Sequence, residues 1–132
     1  MGSAEDLAYL AARVLTCGIW IAGGLYKAGH FDAKVAEMAQ HRIPWPRLVL
    51  PAVLALELIG AALLIANLYV WAVALAWIAF LIPASVIYHW FVRENKFDFV
   101  QYLLFWKNVS IMGGLVALVL LDPSRPDWLL RD

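Results

Sequence analysis

Charge is scarce in this sequence. Only 15% of its 132 residues are Asp, Glu, Lys or Arg, with ten basic residues against ten acidic ones, whereas soluble domains carry about 25%. A net charge of zero leaves no basic footprint for a nucleic acid, so none is expected as a partner. Cysteine is nearly absent: Cys17 alone excludes an internal disulfide and any Cys-x-x-Cys redox motif. No metal is expected. There is no low-complexity tract and no obvious internal repeat. A secretory signal is not expected either. The first residues carry Glu5 and Asp6 before Arg13, where a signal peptide would begin basic, so the first apolar run reads as a retained helix.

What remains is hydrocarbon. Hydrophobic residues make up 64% of the chain, against roughly 45–50% in soluble domains. A chain this short has too much surface for its volume to hide such a fraction from water. The protein is therefore expected to be an integral membrane protein. Four runs, near 7–28, 48–68, 70–91 and 102–121, are each long enough to cross ~30 Å of hydrocarbon. They predict an all-α, antiparallel four-helix bundle, a single transmembrane domain spanning 1–132. Asn67 marks the break between the second and third runs. Pro51 falls in the first turn of the second, and Pro83 inside the third should kink it. Between the first two spans, Phe31, Val35 and Met38 recur at helical spacing with Asp32, Lys34, Glu37 and Gln40 on other faces. This predicts a short amphipathic helix at the headgroup level, stopped by "IPWP". The connection "VRENKFDFVQ" is also expected to be interfacial. Lys27, Lys34, Arg42, Arg47, Arg93 and Lys96 outnumber Arg13, Arg125 and Arg131, which belong to the terminal side. The positive-inside rule then places both long loops in the cytoplasm and both termini outside.

The few charges inside the spans carry most of the information. Arg13, Glu57 and Lys107 lie inside the spans, and a charge at a helix centre costs about 2.5–3.5 kcal/mol on insertion scales, so two of them would need a partner or water. At 1.5 Å per residue they lie roughly 9, 16 and 21 Å from the terminal side, which predicts that Glu57 meets Arg13, Lys107 or both. Lys107 is expected to face the bundle interior. Lys27 and His89 lie near the loop side, where a lysine stem can snorkel. Three faces combine a charge with small residues: Arg13–Cys17–Trp20–Gly24–Lys27, Glu57–Gly60–Ala61–Leu64, and Lys107–Ser110–Ile111–Gly114. Small residues let membrane helices approach closely, and the Gly23–Gly24 and Gly113–Gly114 pairs are expected to pack. Two readings of the cluster stay open: it fixes helix register, or it forms a ligand or proton site. His89, one turn after Ser85, extends the candidate site.

The order of motifs resembles the DoxX family of small four-helix membrane proteins. "RVLTCGIWIAGGLYKAGHFD" is similar to the family's opening. "HRIPWP" resembles its G-I-P-x-P connector, with Arg42 where glycine is usual. "LALELIGAALLI" resembles its second helix and "WKNVSIMGGLVALVLL" its Lys-Asn and Gly-Gly fourth helix. The resemblance covers about residues 11–121. It implies a four-helix bundle with Arg13, Lys27, Glu57, Lys107 and Asn108 as the positions to inspect. It also implies a link to membrane redox complexes, since the family takes its name from a subunit of a thiosulfate:quinone oxidoreductase and other members are tied to oxidative stress. The expectation is an accessory subunit in the inner (cytoplasmic) membrane rather than a self-sufficient oxidoreductase. It would take a quinone, lipid or small anion, hold no covalent cofactor, and pair with other membrane subunits or with itself. Its rivals are a structural or assembly protein without a ligand, and a small transporter.

Overall fold

A computed structural model of the chain describes residues 2–130, so Arg131 of the terminal-side charges lies outside the described residues. The order is α1 (Ser3–Gly29), α2 (Phe31–Gln40), α3 (Pro46–Ile65), α4 (Val70–Tyr88), β1 (Val92–Arg93), β2 (Lys96–Phe97) and α5 (Phe99–Leu121). Four of these helices, α1, α3, α4 and α5, are long and apolar enough to cross a membrane. The all-α bundle with a short helix between the first two spans is thus observed. Pro46, and not Pro51, takes the first helical position of α3, and Pro51 lies inside that helix. α4 runs on through Pro83 to Tyr88.

Local chemistry explains where the elements stop. α2 ends in a Schellman motif: Ile43 N–H donates to Met38 O and Arg42 N–H to Ala39 O. This requires a left-handed residue, and Arg42 takes it at φ 61°. Glycine adopts that conformation freely and arginine does not, which explains a glycine preference at this position of the connector. The end of α3 repeats the motif with Asn67 at φ 60°, its successor Leu68 donating to Leu63 O. Asparagine is the usual second choice there, and this is the physical content of the break expected at Asn67.

α1 packs on α3, and α5 on α4. These two pairs join through α3 and α4, while α1 and α5 meet over a short stretch. The centre is aromatic. Trp20 of α1 stacks on Trp77 of α4, centroids 4.1 Å apart, and the Trp77 indole donates to Leu56 O at 3.0 Å. Gly60 admits that ring, because a Cβ there would lie 2.9 Å from Trp77 Nε1. α2 lays Val35 and Met38 against Leu50 of α3, as its amphipathic pattern predicts. Asp122, just past α5, reaches the start of α4: its carboxylate accepts from Trp71 N–H at 2.8 Å and from Ser124. It supplies a side-chain cap that α4 lacks at its own N-terminus.

The second long connection is a β-hairpin, which the sequence reading did not anticipate. β1 and β2 pair antiparallel, Val92 opposite Phe97 and Arg93 opposite Lys96. Glu94 and Asn95 form the two-residue tip at φ 51° and 61°. Two consecutive left-handed residues are what a type I′ hairpin needs, although Asn-Gly or Asp-Gly is the usual sequence for it.

One expectation fails here. A Cβ on Gly113 or Gly114 would meet nothing within 4 Å, so that pair does not pack within the described chain. Three substitutions separate these roles in thermal unfolding of detergent-solubilised protein. Gly60→Ala should destabilise by about 1–3 kcal/mol through overpacking. Gly113→Ala should stabilise by about 0.5–1 kcal/mol through helix propensity. Arg42→Gly should stabilise by roughly 1 kcal/mol by relieving the left-handed strain.

Candidate functional site

The faces predicted for the first two spans are buried as expected. Arg13, Cys17, Trp20 and Gly24 of α1 and Glu57, Gly60, Ala61 and Leu64 of α3 all point inward. The pairing of charges differs from expectation. Arg13 does not meet Glu57. Its guanidinium donates to Leu64 O at 2.9 Å and Ile65 O at 3.2 Å and lies over the Tyr9 ring. There it satisfies carbonyls at the C-terminus of α3, where the helix dipole favours a cation. Glu57, 2% exposed, instead accepts from Lys27 Nζ at 2.5 Å. Gly24 faces Glu57, and Arg13 lies eleven positions, roughly 16 Å of helix, before Gly24. That distance is too long for Arg13 to span. Lys27 reaches down from the loop end of α1 and remains 30% exposed.

Lys107 corrects a second expectation. It is exposed in the chain and pairs with no acidic group among the described residues. The buried polar residue of α5 is its neighbour Asn108, whose amide donates to Ser85 Oγ of α4 at 3.0 Å. The inward face of α5 is Asn108, Leu115, Leu118 and Val119, so Ser110 and Gly114 also turn outward. α5 is apolar nearly all round, and periodicity could not choose its buried side.

These residues surround one cavity of about 460 Å³, within the roughly 300–1,000 Å³ range of small-molecule sites. Its polar end holds Lys27 with Glu57, Lys34, Glu37, His89, Lys107 and Asn108. Its apolar walls include Trp20, Phe80, Leu81 and Ile111. Five of the seven candidate residues therefore converge: Lys27, Glu57, His89, Lys107 and Asn108. Arg13 and Ser85 do not line it. His89 ends α4, with Nδ1 of its ring 2.8 Å from Gln101 Oε1. The sequence reading missed Lys34 and Glu37 of α2, which form an ion pair at 2.8 Å. Their i, i+3 spacing on the polar face of an amphipathic helix was the available signal. Among the described residues no group of three His, Cys, Asp or Glu side chains is placed to hold a metal ion.

Two acids and three lysines line the cavity, and two ion pairs use up both acids. Lys107 is the remaining ammonium. The Lys27–Glu57 pair also makes an asymmetric prediction. Lys27→Met leaves a buried carboxylate alone and should destabilise by about 3–5 kcal/mol, the range for breaking a buried pair. Glu57→Gln leaves a lysine free to snorkel and should cost clearly less. Unfolding in detergent, with the Lys27→Met/Glu57→Gln double variant recovering part of the loss, is the check.

Comparison with known proteins agrees with this architecture. The DoxX family model matches residues 8–90, a stretch that contains Lys27, Glu57 and His89 and ends before Lys107 and Asn108. The chain is 28% identical over 124 residues to the inner membrane protein YphA of Escherichia coli (strain K12), covering 93% of this chain and 89% of the relative. No solved structure matches it. With the family pattern laid over more than half of its length and four membrane-crossing helices behind it, the chain belongs to the DoxX family of membrane proteins.

Proposed function

We propose that the cavity binds the head of a membrane quinone and that the protein serves as an accessory subunit of a quinone-linked redox complex. The observation that carries this reading is Lys107. An unpaired ammonium on a membrane helix is costly, and this one lines a cavity whose other charges are matched. A quinone carbonyl oxygen accepts a hydrogen bond from it without adding a full charge. The second amide N–H of Asn108 is a further donor, and Trp20, Phe80 and Ile111 offer apolar and aromatic surface to the ring and first isoprene units. The Lys27–Glu57 pair lies beside the head and is the proton-exchanging group nearest to it. Electrons come from a partner subunit in this reading. A lipid or a sulfur oxyanion would use the same ammonium.

The excess of Lys and Arg at the loop end, together with the printed name of the Escherichia coli relative, supports an inner-membrane location with both long loops cytoplasmic and the termini outside. One observation favours the assembly reading as well: Gly18, Gly113 and Gly114 lie on exposed helix surface with open space before them, as a docked helix would require.

Purification in mild detergent followed by extraction and mass spectrometry of bound lipids tests the quinone reading. Wild-type protein should retain quinone in near-stoichiometric amount. Lys107→Ala should retain about tenfold less, the loss of one charge-assisted hydrogen bond, at unchanged helix content. Equal quinone in both proteins, or none in the wild type, refutes it.

A further inference from the structure

The hairpin between α4 and α5 carries an unusual juxtaposition. Arg93 and Lys96 are direct cross-strand partners. Like charges directly opposite on one face of a strand pair repel, and a hairpin of two residues per strand has little else to offset that repulsion. Its tip adds a glutamate, Glu94, in the left-handed region. No ion pair joins Arg93 or Lys96 to Glu94 or Asp98 among the described residues. Both cations instead line a second cavity of about 350 Å³, with His41, Tyr88 and Gln101 around it.

We propose that this hairpin clamps the phosphate of an anionic phospholipid between Arg93 and Lys96. The site stands apart from the quinone reading and does not depend on it. Arg93 is held in place by one N–H, donated to Ile87 O at 2.8 Å. The other guanidinium N–H groups remain free to fork onto two phosphate oxygens. Lys96 supplies a second cation across the strand pair. Gln101 Oε1 is engaged with the His89 ring, which leaves its amide N–H groups as neutral donors. Asp98 is the carboxylate in the lining, and its Oδ1 accepts from Gln101 N–H at the start of α5. Two cations against one carboxylate leave the cup one positive charge in excess.

The surroundings select a lipid over a free anion. Phe91 meets Trp90, Phe97, Tyr102 and Phe105 at centroid distances of 4.8, 6.0, 5.1 and 5.5 Å. Phe97 and Phe99 remain mostly exposed. Aromatic rings flanking two membrane-crossing helices mark the membrane–water boundary. A phosphate bound there arrives with glycerol and acyl chains beneath it, and the exposed rings cover those chains. Basic residues at this level attract anionic headgroups, by roughly fivefold in binding for each Lys or Arg.

Native mass spectrometry of the purified full chain, titrated with phosphatidylglycerol and separately with phosphatidylcholine, tests the clamp. The wild type should hold phosphatidylglycerol preferentially. Arg93→Gln/Lys96→Gln should lower its affinity by about twenty-fivefold and abolish the preference, at unchanged helix content. Lys96→Glu keeps folding out of the argument: a cross-strand Arg–Glu pair stabilises the hairpin, yet the preference should still vanish. Preference retained in either variant overturns the proposal, as does a wild type that holds both lipids equally. Displacement by inorganic phosphate at concentrations no higher than the lipid's overturns the lipid source.

Discussion

A carboxylate placed in hydrocarbon must find a cation, and much of this structure is organised by how Glu57 finds one. Lys27 reaches it from the loop end of α1, across the small surface of Gly23 and Gly24. A side chain at Gly24 would strike Leu58, with a Cβ 2.7 Å from its Cδ2. The glycines therefore let α1 lie close enough for the pair to form. Arg13 fixes the other end of the same interface by bonding the last carbonyls of α3. Two polar anchors about four helical turns apart leave α1 no freedom to slide along α3. In lipid, where apolar contact alone gives little preference for one register over another, such anchors carry more weight than they would in water.

The cavity follows from this arrangement. α1 is committed to α3 and α5 to α4, and the Trp20–Trp77 stack holds the two pairs together near mid-depth. Toward the loop end nothing so large fills the space between them. Both acids there are already paired, so the position of Lys107 beside the opening sets the chemistry: an electron-rich oxygen is welcome and a second cation is not. The asymmetry of polar mouth and aromatic floor matches a molecule with a polar head and a greasy body.

The loop-end elements add a second layer of charge. α2 and the hairpin both place basic side chains among aromatic ones where the helices leave the membrane. In the hairpin those charges sit in a register that works against pairing of the strands. Charge placed against local stability is most simply understood as charge placed for something outside the chain.

Composition determined the solvent, and with it the number of spans, because 64% apolar residues in so short a chain have no alternative to lipid. Periodicity with small residues also gave the inward faces of α1 and α3, since only a few positions there mix polar and small side chains. Asn67 announced its break through its tolerance of the left-handed region. The rotation of α5 was beyond the sequence: with apolar residues on every side, its inward face was settled by the Asn108–Ser85 hydrogen bond to a helix distant in sequence. The partner of Glu57 was equally hidden. Depth counted from span ends has an error of several residues; it favoured Arg13 and Lys107 and left Lys27 near the loop side. Only the packing of α1 on α3 chose between them, because a register is a property of two surfaces in contact and neither strand of sequence contains it alone.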